Sequence, residues 1–254
     1  MPRWAASACA GLALAALAGC ASDPFQGART WKIESCAQSI DPTLRFTTPG
    51  AIVEVPRSAC AAVVRAAAKI ELVAKFQAEQ LWIADPEFPN AAATTNSAQR
   101  PIIIVTVGLL QALGDDEAAW AALLGHEVAH HVKNHRAGRE SARTQAWVAG
   151  QAVGNLIGAF VPGVGGLVAA NVANFAASSA VYGSYTRPQE AEADKQGLDW
   201  MVAAGYDPRG MERLIAALSK SGGAMPGFLS THPGADDRAQ MVRTYIEKNR
   251  GENR

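Results

Sequence analysis

Charge of either sign is not in surplus: twenty-three Lys and Arg are matched by twenty-three Asp and Glu. The unbalanced basic stripe that marks a nucleic-acid binder is missing, so nucleic acid is not an expected partner. Charged residues make up only 18% of the chain and aromatic ones 7%, against 49% hydrophobic. A chain this apolar is not a disordered one. Alanine inflates the apolar share, which favours helices packed through small side chains. Cysteine is scarce, at four residues, too few for a disulfide-rich scaffold. The length of 254 residues allows one sizeable domain with little left for a second.

The most uniformly apolar stretch near the start is too short for a comfortable membrane span and has the pattern of a secretory leader. Arg3 supplies a positive flank, Ala5 to Ala18 carry no charge, and the stretch ends in small residues. Leu17-Ala18-Gly19-Cys20 resembles a lipobox, where cleavage precedes a lipid-modified cysteine; the alternative is an ordinary secretory signal. Ala21 and Ser22 follow Cys20, and by that resemblance the destination is the periplasmic face of the outer membrane. Residues 1–19 then form the signal peptide. Cys36 and Cys60 remain in the mature chain, as a disulfide suited to an oxidising compartment or as two separate thiols.

Residues 20–57, rich in Pro, Ser, Thr and Gly, read as a lipidated N-terminus and irregular tether. A single domain follows over 58–254. Its first helix begins near Ser58, read as an N-cap. Leu81 to Ala84 is a short strand, Asn90 to Arg100 a polar loop, and Ile102 to Val107 the strongest strand signal because β-branched residues fill it. A helix runs from about Glu117 to His135, with acids at its positive end. Residues 144–186 carry no charged side chain. Broken near Pro162, they read as an apolar helical hairpin packed on the domain or a partner, or as a membrane-touching element. Helices follow after Pro188, from Pro208 and from Asp236.

His126-Glu127-Val128-Ala129-His130 carries the chemistry. Histidines four apart share a helix face, so both imidazoles reach one ion. Zinc suits neutral imidazole, and a catalytic site takes three protein ligands and leaves one position open. Glu127 is placed to act as general base on water rather than as a ligand. A third ligand must come from elsewhere. In Glu190-Ala191-Glu192-Ala193-Asp194, Glu190 and Asp194 also share a face. Glu190 could bind the metal, and Asp194 could take the spare N–H of a ligand histidine; Glu192 points away.

Together the two motifs resemble the signature of the HtpX-like and CAAX-prenyl-protease-like zinc metallopeptidases. The likeness is closest to periplasmic lipoprotein and quality-control members such as LoiP and BepA. Asn90-Ala91, Val107-Gly108-Leu109-Leu110 and Thr231-His232-Pro233 add to it, so that it covers about residues 58 to 245. The resemblance implies a gluzincin: His126, His130 and Glu190 on one zinc ion per chain, with Glu127 as the base. It also brings two readings of His232, as a residue that approaches the metal and blocks the open position or as a loop histidine packed on the last helix. Arg238 would orient a substrate carbonyl or pair with Asp236 or Asp237. His131 and His135 read as surface or supporting groups. Ala92 to Ser97 depart from the short Gly-containing turn usual in relatives, which leaves substrate preference open.

The expected fold is α+β: a mainly helical, zincin-type gluzincin domain with a small sheet at the active-site cleft. Residues 102 to 107 are the expected edge against which an extended substrate lies. The expected function is zinc-dependent hydrolysis of unfolded or misassembled envelope proteins, with the outer-membrane protein assembly machinery as partner and a lipid anchor to the membrane. The alternative is an assembly or holdase factor whose zinc site is self-inhibited.

Overall fold

The computed structural model describes residues 28–135, 185–220, 232 and 234–252. Cys20 with its lipobox, Thr231, Pro233 and the apolar stretch 144–186 up to its last two residues lie outside them. The fold is mixed α+β and mainly helical. β1 (Thr30–Lys32), α1 (Ile33–Ala37) and a hairpin of β2 (Thr43–Thr47) and β3 (Ile52–Pro56) come first, followed by α2 (Arg57–Ala74). Next come β4 (Gln80–Ala84), β5 (Ala91–Thr95), β6 (Pro101–Thr106), α3 (Val107–Leu113) and α4 (Glu117–Val132). The last described helices are α5 (Arg187–Ala203), α6 (Arg209–Lys220) and α7 (Ala235–Glu252).

Two expectations need correcting here. Residues 30–56, read as tether, are built into the domain. Ile33, Cys36, Phe46, Val53 and Val55 enter the core, and Cys36 is disulfide-bonded to Cys60 of α2. The first full helix begins two residues earlier than expected, with Pro56 rather than Ser58 at the N-cap position; the fixed φ of proline suits a helix entrance.

The second correction concerns the sheet, whose strand order is β1-β4-β6-β5. β6 runs parallel to β4 and antiparallel to β5, so it is paired on both sides. The expected substrate edge therefore cannot be β6. Ala91–Thr95, read as loop, forms the edge strand in its place. Alanine, which fills its first three positions, is a poor strand former, and the segment is ordered by pairing with β6.

α4 is the central element. Asp116 caps it by accepting the Ala119 N–H, and from Ala119 to His130 every residue is buried. It packs against α2, α5, α6 and β5. The crossing with α5 is close because glycine meets glycine: a Cβ on Gly197 would sit 3.0 Å from the His126 nitrogen, and one on Gly125 would sit 3.1 Å from the Gly197 Cα. That approach places the first turns of α5 beside the second half of α4.

Candidate metal centre

α4 presents His126 and His130 one turn apart, and α5 presents Glu190 and Asp194 one turn apart. α5 is started by Thr186, whose hydroxyl accepts the Gln189 N–H while the Gln189 side chain accepts the Thr186 N–H. This capping box fixes the helix start and so the direction of Glu190, one residue further on. His232, from the segment before α7, completes the group. Ligand-capable atoms of His126, His130, Glu190 and His232 all lie within 4.8 Å of one another, and all four residues are buried.

The separations suit a common ion. His126 Nε2 lies 2.9 Å from His130 Nε2 and 3.0 Å from His232 Nδ1. Glu190 Oε1 lies 3.3 Å from His130 Nε2 and 3.0 Å from His232 Nδ1. Ligand atoms about 2 Å from one tetrahedral ion stand a little over ~3 Å apart. Imidazole and carboxylate donors are the set that zinc and similar divalent metals take. The cluster is able to chelate a divalent metal.

Its electrostatics agree. Burial opposes a charge on His126, yet the Glu190 carboxylate, with help from Asp194, holds its pKa above the ordinary histidine value. A cation in the pocket would feel the same negative field. Burial, reinforced by the neighbouring His126, pushes His130 far down, leaving it a neutral imidazole, the form that ligates metal.

Asp194 lies 2.8 Å from His126 Nδ1 and accepts its N–H, orienting the ring. Burial should raise the Asp194 pKa, but Arg238 and the His126 hydrogen bond more than offset it and hold the carboxyl well below the usual range. Arg238 is itself buried, donating from Nε and Nη2 to the two Asp194 oxygens at 2.6 and 2.7 Å. Its Nη1 lies 3.2 Å from Glu190 Oε2. Arg238 is therefore turned inward, while Asp237 pairs with Arg187.

Glu127 sits against the cluster, its Oε1 3.6 Å from His232 Nε2. Its Oε2 accepts the Ala93 N–H at 2.7 Å, which places the outer edge of β5 beside the glutamate of the HExxH motif. The arrangement is that of an HExxH-plus-glutamate zinc protease. Glu192 points to the surface, 3.0 Å from Lys133 Nζ. His131 stacks on Phe76 and approaches the Ile102 carbonyl, a packing role. Two neighbours of the cluster escaped the sequence reading: Tyr185, stacked on His130 at 3.6 Å between ring centroids, and the Ala93 N–H. No local sequence signal marks either.

The family model of peptidase family M48 matches residues 58–246. Mitochondrial metalloendopeptidase OMA1 of Arabidopsis thaliana is 33% identical over 141 residues, 55% of this chain and 27% of that protein. The putative beta-barrel assembly-enhancing protease of Vibrio cholerae is 32% identical over 127 residues, 48% of this chain and 26% of that protein. Metalloprotease LoiP of Escherichia coli is 29% identical over 162 residues, 61% and 57% of the two chains. The matches spread over mitochondrial and bacterial proteins, so no single relative is distinguished. This chain spans only about a quarter to three-fifths of the length of these relatives.

Proposed function

The chain belongs to peptidase family M48, and from that premise we propose that it is a zinc-dependent endopeptidase of the periplasm, anchored to the outer membrane by lipid on Cys20. Its substrates are unfolded or misassembled envelope proteins. The observation that carries the reading is the buried cluster of His126, His130, Glu190 and His232, whose first two histidines lie on the helix that holds Glu127. Two relatives are named a metalloprotease and a putative beta-barrel assembly-enhancing protease; by analogy the outer-membrane assembly machinery is the partner.

Bound zinc would supply Lewis acidity, polarising a peptide carbonyl and acidifying water. His126, His130 and Glu190 would hold the ion, and Asp194 fixes the His126 ring by accepting the hydrogen bond of its Nδ1–H. Glu127 takes the proton from the attacking water on its carboxylate and delivers it to the leaving amine. The substrate pairs as an extended strand with the outer edge of β5, because the Ala93 N–H that faces Glu127 belongs to that edge.

His232 favours a second reading. Its Nδ1 stands 3.0 Å from both His126 Nε2 and Glu190 Oε1, from where it would fill the position that a catalytic site leaves open. A site so plugged would rest inactive and suit an assembly or holdase factor. Cleavage of casein by the full chain separates the two. Glu127→Gln keeps shape and zinc but should lower cleavage by at least the ~10² typical of a lost general base. His232→Ala should raise it. If zinc-loaded wild type and His232→Ala are both inert, the protease reading fails and the holdase reading replaces it.

A further inference from the structure

A histidine that gives one ring nitrogen to a metal must dispose of the N–H on the other. For His126 the acceptor is Asp194. For His130 it is another histidine: His130 Nδ1 lies 2.9 Å from His135 Nδ1. His135 is almost wholly buried, and its Nε2 lies 3.2 Å from Glu192 Oε2. The other Glu192 oxygen is held by Lys133 at 3.0 Å, and the carboxylate reaches the surface.

One set of tautomers satisfies these atoms. His130 Nε2 faces the cluster, so its proton is on Nδ1. His135 Nδ1 must then accept that proton's hydrogen bond, and its own N–H, on Nε2, donates to Glu192. The backbone makes this possible just after α4. Asn134 takes a left-handed φ of 54°, a conformation asparagine tolerates better than most residues, and the chain folds back so that His135 meets the residue five positions earlier.

We propose that His135 is a positioning residue for the metal centre, relaying the His130 N–H to Glu192 and so holding His130 Nε2 toward the ion. The two ligand histidines are then polarised unequally. His126 is backed by a buried carboxylate clamped by Arg238, and His130 by a neutral imidazole that ends on a surface carboxylate. The proposal rests on the reading that the cluster holds zinc.

The test is zinc affinity of the full chain, by competition with a chelator, with the visible spectrum of the cobalt(II)-loaded form as second readout. His135→Phe keeps a ring but offers no acceptor, and should weaken zinc by about 10–100-fold and shift the cobalt bands. His135→Asn returns an oxygen near the Nδ1 position and should recover most of both. Glu192→Ala, which cuts only the far end, should lose less than His135→Phe. Circular dichroism checks that each variant folds. If His135→Phe binds zinc as wild type does, or His135→Asn falls as far as His135→Phe, the relay is overturned while the zinc reading stands. A wild-type chain that takes up no zinc overturns both.

Discussion

Asp194 has no exposed side-chain surface, and an isolated carboxylate there would give up its charge. Arg238 keeps it ionised through two short hydrogen bonds, and the ionised form is the one that orients His126. Breaking such a pair from one side strands a buried charge, which typically costs ~3–5 kcal/mol. Arg238→Gln should therefore lower unfolding stability by about that amount in urea titrations, and adding Asp194→Asn should restore part of the loss. A variant as stable as wild type would show that the pair is not what holds this corner. At this scale the motif residues were legible, because i, i+4 spacing on a helix is enough to send His126 with His130, and Glu190 with Asp194, to one face. The inward turn of Arg238 was not, and the approach of His232 came only as one of two readings brought by the family resemblance. Both depend on contacts 44 and 106 residues apart in sequence, which no local pattern encodes.

The helices were read with nearly their observed bounds because apolar spacing and caps survive in the sequence. The small elements were not. β5 is alanine-rich and owes its strand form to β6 and to the Glu127 carboxylate, while the prolines flanking β2 and β3 mimic a tether. Elements also decide whether the site assembles at all. α4 and α5 touch through Gly125 and Gly197, and the atoms nearest an added Cβ are backbone that cannot swing aside. Gly197→Ala gains helix propensity of up to ~1 kcal/mol but meets overpacking of about 1–3 kcal/mol. The expected outcome is a less stable protein whose zinc affinity also falls, as the helices separate and pull Glu190 from the histidines. Unchanged or raised stability would mean that the crossing has slack.

The whole molecule extends beyond the span of residues 58–246 that the family model matches. The segment before it, through Ile33 and Cys36, shares the core with α2 and α4. The Cys36–Cys60 bridge, 24 residues apart, closes a loop whose loss of unfolded-state entropy is worth about 3.5 kcal/mol, and a disulfide fits the proposed oxidising compartment. Among the described residues no helix is long and apolar enough to cross a membrane. All of this serves one claim, that the fold exists to bring donors from α4, α5 and the segment before α7 onto a single zinc ion. Zinc content after dialysis into metal-free buffer tests it most directly. The account predicts one ion per chain in wild type and in Glu192→Ala, and none in His126→Ala/His130→Ala or Glu190→Ala/His232→Ala. Zinc retained by either double variant, or absent from the wild type, would contradict it.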